Sequence, residues 1–572
     1  MERWCMWGRY WMKECKTDIL IVGGGFGGVA AAIAACKAGC RVIMTEETDW
    51  IGGQATAQGV PLDEHPWIEQ YGAPSSYRNF RDRIRSYYRR NYSLSQNAHQ
   101  DQYLNPGACW VSALGFEPRI GVHVLEEILA PYRTAGLLNV WLNTKATHVF
   151  ETNDRVSAVS FRSTIGDVEK TVFADYVLDA TELGDILELG GIEHVIGAES
   201  KKETGEPLAL DEADPFRQQP FTHLIALEKR RDDEVIIADK PKDYETYRSI
   251  FGRVSAEYES LRAGEIIGLG MPNGLFTRNE SRDQYNPNLW NFRRYFYHGN
   301  FDTSFFLSDL TAMMVGNEYT HGVLCGVSDE EREKSLKGAR DLSLSLVHYL
   351  QTEVPCNGSM GIPGLSISSS VFDSDDGLAK YPYIRESRRI KAQYTIKEQD
   401  FLISENPGGA KNYFDTVGLA GYRIDIHEKA KGREESITSV YHGQHWTQQI
   451  PLGALIPVRV RNLIPCGKNI GTTHVTNGSF RLHPVEWNIG EVAGALAAFC
   501  LRIHESPEGV RNTTGTLEKF QKELIHRGVE LHWPTQSFSR SYFSHHRSIE
   551  NWYFGECDKL GNSQFQPQRN DS

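Results

Sequence analysis

Six residues, Gly23-Gly24-Gly25-Phe26-Gly27-Gly28, follow directly on the apolar run Ile19-Leu20-Ile21-Val22 and lead into an alanine-rich stretch. The continuous apolar run predicts a central parallel strand over Thr17 to Val22, covered on both faces, and Gly27 to Ala38 predicts a helix. Gly23, Gly25 and Gly28 fill the G-x-G-x-x-G spacing. The first glycine makes the tight turn, the second lets the backbone approach a pyrophosphate, and the third lets helix pack on strand. The start of the helix offers free N–H groups and about half a positive charge to the phosphates. Arg41 to Thr45 reads as a second strand, which completes a βαβ unit. Glu46 ends it, eighteen residues past Gly28, where a carboxylate can accept hydrogen bonds from ribose hydroxyls. The glycine spacing alone is weak. Strand, glycines, helix, strand and acid in that order point to a dinucleotide.

Further stretches bear on which dinucleotide. Glu46 is followed by Ile51-Gly52-Gly53, and two glycines there let the backbone pass close to a cofactor. Tyr176-Val177-Leu178-Asp179-Ala180-Thr181-Glu182-Leu183-Gly184-Asp185 reads as a strand followed by an Ala-Thr-Gly-like turn, with Glu182 at the glycine position. Near the C-terminus, Asn462 to Ile470 gives a strand ending in Cys466-Gly467-Lys468, Thr473 to Arg481 follows, and a helix is expected from Val485 to about Ile503. Pro484 sits where a first-turn proline is tolerated.

With Asn105-Pro106-Gly107 and Pro382 to Arg389, these stretches resemble the FAD-dependent oxidoreductase family, among the paired-glycine flavoproteins that include amine oxidases and fumarate reductases. The resemblance spans residues 16–200 and 380–505. It implies an α/β fold: a Rossmann-type FAD-binding domain with a β-meander and an inserted α+β substrate domain. It implies FAD held by Gly23, Gly25, Phe26, Gly27, Gly28, Glu46, Glu47, Gly53, Gln54, Ala180, Thr181, Gly467, Asn469 and Val485. The helix N-terminus near Val485 is expected at the flavin N1/C2 carbonyl edge, where it would stabilise the negative charge of reduced flavin.

What is absent narrows the reaction. No Cys-x4-Cys follows the first helix, as disulfide reductases would have, and Cys466-Gly467-Lys468 replaces the Gly-Asp pair of aromatic hydroxylases. The nearest second nucleotide fingerprint, Gly268 to Gly274, contains Pro272 and precedes no helical pattern. The flavin is therefore expected to be reduced by its substrate, with a C–OH or C–N group passing hydride to it. Reduction of an activated double bond, and a flavin-binding protein without catalysis, are the alternatives.

Hydride removal beside OH or NH wants a base, and histidine suits neutral pH. His474 and His483 flank the segment expected beside the flavin, and His442 and His445 are further candidates. Each could equally be structural. Arg481 could hold a substrate carboxylate or a flavin carbonyl. Arg385, Arg388 and Arg389 around Glu386 read as an ion-pair network before a substrate clamp. Cys109-Trp110 could face the flavin, and the aromatic run Leu289 to Tyr297 reads as core before a ring-binding floor.

The 572 residues, 40% apolar and 24% charged, suffice for two or three globular domains. The segments expected are 16–200 (first part of the FAD domain), 201–454 (substrate domain), 455–505 (closing strand and helix), 506–556 (helical) and 557–572 (disordered tail). Within them, Val140 to Asp175 reads as the meander, Tyr176 to Ala180 as a further core strand, and Asp329 to about Gln351 as a helix. Residues 60–105, with an arginine-rich helix from Tyr77 to Arg90, are expected to run over the surface, and the Val485 helix to be amphipathic. Met12 stands just before the first strand, which leaves open whether the first eleven residues are folded. A net charge of -13 argues against nucleic acid or an anionic membrane as partner. The ten scattered cysteines include no Cys-x-x-Cys pair, so no metal or iron–sulfur site is expected. They suit reduced thiols in a cytoplasmic protein, with a small-molecule substrate as partner and no membrane span.

Overall fold

The computed structural model describes residues 3–7, 10–65, 67–230, 234–251, 289–302, 308–356, 359–430, 433–441 and 445–533. Strand β1 (Arg3–Trp7) forms an antiparallel hairpin with β2 (Tyr10–Val22). The strand expected from Thr17 is thus the second half of a longer one. Helix α1 (Phe26–Lys37) follows, buried on every side from Phe26 to Cys36. β3 (Val42–Thr45) lies parallel to β2, pairing Ile19 with Val42.

Helices α2 (Ser75–Asn91) and α3 (Pro118–Thr134) precede β4 (Leu138–Trp141), which adds in parallel beyond β3. The surface excursion expected over 60–105 is not what forms. Val60, Leu62, Trp67, Tyr77, Phe80, Ile84 and Tyr88 are buried. Two of the arginines are buried with them, because Arg81 is paired with Glu64 and Glu69, and Arg85 with Glu69. An arginine-rich pattern reads as solvated only when its acids are not folded over it.

β5 (Thr144–Glu151), β6 (Val156–Ser163) and β7 (Glu169–Asp179) form the antiparallel meander. The last meander strand and the expected core strand are one element. β7 pairs with β6 through Glu169 to Phe173, and runs parallel to β2 as far as Asp179.

Between residues 221 and 367, β8 (Ile225–Lys229), β9 (Arg294–Phe296), β10 (Leu310–Met313), helix α4 (Asp329–Thr352) and β11 (Leu365–Ile367) form a second antiparallel sheet of order β9-β10-β8-β11 and its covering helix. Ser328 and Glu331 close a capping box at the start of α4. This sheet has its own core, including Ile225, Leu227, Met313, Leu342 and Leu346.

β12 (Thr416–Ala420) pairs with Gln448–Pro451, and β13 (Asp425–Ala430) with Arg433–Tyr441. β14 (Leu463–Pro465) returns to the first sheet, parallel to β7. Helices α5 (His474–Phe480), α6 (His483–Ile503), α7 (Pro507–Asn512) and α8 (Thr514–His526) complete the described chain. The tail expected over 557–572 lies outside the described residues.

The main sheet has the order β4-β3-β2-β7-β6-β5, with β14 also on β7. This is a mixed α/β, Rossmann-type arrangement. Helix α6 departs from the amphipathic expectation, since it is buried all round from His483 to Cys500. Several of its polar side chains find partners inside: Glu486 accepts from Gly27 N at 3.2 Å, Asn488 Nδ2 donates to Val417 O at 3.4 Å, and Glu491 accepts from Ser76. Gly490 and Gly494 let α6 touch the α1 backbone. A Cβ on Gly494 would lie 2.8 Å from Ala31 Cα. Among the described residues no helix is long and apolar enough to cross a membrane.

Candidate functional site

Three loops leave the main sheet at one edge. The parallel register sets Val22 beside Asp179 and Asp179 beside Pro465. The loops beginning at Gly23, Ala180 and Cys466 therefore converge, at the carboxyl ends of the strands where open α/β sheets hold ligands. Backbone bonds lock them: Ala180 N to Val22 O at 2.8 Å, Cys466 N to Asp179 O at 2.8 Å, and Gly23 N to Thr45 O at 3.0 Å. Gly23 has φ +105°, and a Cβ there would meet the Ala180 carbonyl and come within 2.8 Å of Thr181 N. Only glycine satisfies both demands.

Gly23, Glu46, Glu47, Gly53, Ala180 and Thr181 line one groove of about 560 Å³, joined by Lys145 and Tyr381. Glu46 Oε2 accepts from Gly24 N at 2.8 Å, and Oε1 accepts from Thr48 N at 2.8 Å and Thr48 Oγ1 at 2.9 Å. Enclosure pushes its carboxyl up to about 7, against the pull of these bonds. Glu47 pairs with Lys145 at 2.8 Å.

The other expected cofactor residues do not line the groove. The Phe26 ring packs edge-on against Phe80 and Trp487, centroids 5.4 Å away in each case. Gly28 packs under the Gly23 carbonyl. Gly467 N donates to Asn469 Oδ1 at 3.2 Å, and Asn469 Nδ2 to Asp179 O at 3.0 Å, so this pair braces the β14 loop onto β7. Val485 is buried in the first turn of α6. Gln54 Nε2 donates to Arg481 O at 3.1 Å and to Glu486, and its Oε1 has no protein partner.

One cluster was not expected. Lys468 Nζ lies 2.6 Å from Glu182 Oε2 and 3.8 Å from Glu486 Oε2, beside the Gly25 turn. A signal existed in the sequence. Glu182 departs from glycine in one motif and Lys468 from an acid in another, and the two departures are complementary in charge.

A second constellation surrounds His474, the first residue of α5. Its Nδ1 faces both oxygens of Glu386, at 2.8 and 3.0 Å, and its backbone N donates to Glu199 Oε2 at 2.9 Å. Glu386 is buried, bonded to Arg389 and accepting from Gln219 N at 3.0 Å. Burial alone would raise its carboxyl. His474 and Arg389 instead hold it below the ordinary carboxylate range. Two cavities, of about 690 and 460 Å³, share Arg217 and His474, and His427 lines the larger. With Nδ1 turned to Glu386, Nε2 is the ring nitrogen left for a cavity ligand. His427 Nε2 lies 3.5 Å from Asp425 Oδ2. Asp425 accepts from Arg481 Nη2 at 3.1 Å, and Arg481 Nη1 donates to the Tyr383 hydroxyl at 2.6 Å. With the Gln54 bond to Arg481 O, a continuous polar chain runs from the paired-glycine turn to the cavity.

Residues 18–524 match the family model described as FAD dependent oxidoreductase. The chain belongs to this family. FAD is its cofactor, and it is an oxidoreductase. Over 116 residues it is 31% identical to a 3-oxosteroid 1-dehydrogenase of Rhodococcus opacus, which covers 19% of this chain and 21% of that one. Over 56 residues it is 45% identical to a hydroxyneurosporene desaturase of Rhodobacter capsulatus, covering 9% of this chain and 11% of the relative. The chain thus spans about a fifth or less of the curated relatives it matches. Among solved structures, p-nitrophenol 4-monooxygenase from Pseudomonas putida aligns with 96% of each chain, at 11% identity and a TM-score of 0.33.

The residues at the sheet edge fit FAD. The N-cap Gly25 adds no side chain to the α1 start, where Glu486 accepts from Gly27 N; Glu46 stands just past β3, where a carboxylate can accept from ribose hydroxyls; Lys468 supplies a cation; and Gln54 Oε1 is a buried acceptor without a protein partner. The remaining candidates sort by their partners. His483 Nδ1 accepts from Asp63 N at 3.0 Å, its ring packs on Phe26, and burial brings it down to about 4, so it is a neutral enclosed imidazole. His445 is buried against Phe401, and His442 lies outside the described residues, as does Gly268 to Gly274. Arg385 donates to Pro220 O and Thr222 Oγ1, Arg388 faces Asp185 and Glu188, and only Arg389 holds Glu386. Cys109 Sγ donates to Phe292 O, and burial pushes the thiol up to about 11. The run 289–297 is core: Trp290, Phe292, Tyr295 and Phe296 are buried, and Arg294 pairs with Asp309 at 2.8 Å.

Proposed function

We propose that this FAD-dependent oxidoreductase oxidises a small organic substrate at a carbon bearing OH or NH, with His474 as the base. The observation that carries the reading is the His474–Glu386 dyad bordering a cavity of about 690 Å³. Bound FAD supplies the acceptor for the hydride. His474 Nε2 takes the O–H or N–H proton, so the substrate leaves as a carbonyl or imine. Glu386 orients the ring and stabilises the imidazolium that forms, the role a buried carboxylate plays behind a catalytic histidine. Arg481, through Asp425 and His427, couples the paired-glycine turn to the cavity wall. Glu386 is a positioning residue.

The test is an anaerobic screen of polyols, sugars, amines and hydroxy acids for bleaching of the bound flavin, followed by stopped-flow reduction. With the best donor, His474→Ala should slow reduction about 10²–10⁴-fold at unchanged FAD content. Added imidazole should restore part of the rate. Glu386→Gln should lower the limiting rate while leaving substrate Kd alone. Reduction at the wild-type rate in His474→Ala removes His474 from the chemistry.

A further inference from the structure

The start of α1 carries a carboxylate on the amides that the cofactor's phosphates require. Glu486 Oε1 accepts from Gly27 N at 3.2 Å, and Gln54 Nε2 donates to its other oxygen. Glu486 is buried, and it shares one ammonium with a second acid: Lys468 Nζ lies 3.8 Å from Glu486 and 2.6 Å from Glu182. The two acids also flank Gly25. A Cβ there would stand 3.1 Å from Glu182 Oε1 and 3.3 Å from Glu486 Oε1. With both acids ionised, the cluster carries one net negative charge before any ligand arrives.

A diphosphate seated on the α1 amides adds further negative charge at the same place. Like charges this close in a buried site cannot all stay ionised. Relief by movement is blocked on three sides, by α1, by the Gly53–Ala55 turn and by the loop after β14. The charged and titratable groups facing Glu486 are Lys468 and Glu182 from the two strand-end loops, and the first turn of α1 brings no acid. Lys468 is already matched by Glu182, so it cannot neutralise both Glu486 and a phosphate.

We propose that FAD binding takes up one proton from solvent onto Glu486, making this carboxyl a pH sensor of cofactor occupancy. Neutral Glu486 keeps an oxygen for Gly27 N or a hydroxyl for a phosphate oxygen, and removes the repulsion. Burial already raises its carboxyl above the usual range, opposed chiefly by Lys468.

The experiment titrates FAD into the deflavinated full-length protein between about pH 6 and pH 9, with flavin fluorescence for Kd. Calorimetry in two buffers of different ionisation enthalpy counts protons. The wild type should take up about one proton per FAD, and Kd should rise up to about tenfold per pH unit above the carboxyl's own pKa. Glu486→Gln, a neutral isostere that still accepts from Gly27 N, should bind with no proton uptake and little pH dependence. A wild type that binds FAD without proton exchange overturns the proposal, whether or not the variant folds. So does full uptake in Glu486→Gln, and uptake lost only in Glu182→Gln would move the proton to the other acid.

Discussion

Gly27→Ala probes the convergence of α1, β14 and α6 directly. A Cβ on Gly27 would run into the Cys466 carbonyl, with the carbonyl carbon only 2.8 Å away and Glu486 Cγ at 3.4 Å. Ordinary contact begins near 3.4 Å, and the Cys466 oxygen stands closer still than its carbon, so the backbones must separate by well over an ångström, and neither neighbour is a flexible chain end. Cys466 N is tied to Asp179 O, and α1 is packed along α6. Overpacking of this kind costs about 1–3 kcal/mol, and a backbone-on-backbone clash belongs at the upper end. Gly467→Ala is the matched control one residue beyond Cys466, because its Cβ would meet nothing nearer than 3.7 Å. The assay is the urea midpoint of the deflavinated protein at constant m-value, with FAD retained after gel filtration measured beside it. We expect Gly27→Ala to lose about 3 kcal/mol and most of its FAD, and Gly467→Ala to lose under about 1 kcal/mol without cofactor. Equal midpoints for the two variants would refute the three-loop packing argument.

Asp179 is fully buried, with Thr181 N at 3.1 Å and Thr181 Oγ1 at 2.7 Å on one oxygen, and burial pushes its carboxyl up to about 7. The folded chain therefore binds more protons than the unfolded one between about pH 4 and pH 7, and stability is lost as pH rises through that window. Asp179→Asn should flatten this slope in denaturation midpoints taken across the window, and an unchanged slope would exclude Asp179 as its source. Arg81→Met removes the buried guanidinium that Glu64 and Glu69 face, and should cost about 3–5 kcal/mol in the same urea assay. A loss under about 1 kcal/mol would show those acids to be compensated by other neighbours.

What local pattern can carry, the sequence determined alone. Ile19 to Val22, the glycines through Gly28 and the run up to Thr45 specified strand, turn, helix and second strand, because each is a property of neighbouring residues and of backbone freedom. The closing strand at Leu463 and the helix after Pro484 were legible for the same reason. Tertiary structure decided the rest, where partners come from other elements of the chain. Arg81 and Arg85 look solvated until Glu64 and Glu69 fold over them. Helix α6 reads as amphipathic until Gly27 N, Val417 O and Ser76 meet its polar face. Glu386 reads as one acid in an arginine cluster, yet only the fold brings it to His474 Nδ1, eighty-eight residues away. Glu182 and Lys468 look like separate motif errors until the strand register sets Asp179 beside Pro465 and delivers both to one site. Charge and hydrogen bonding act over a few ångströms in space, and that distance bears no relation to separation along the chain.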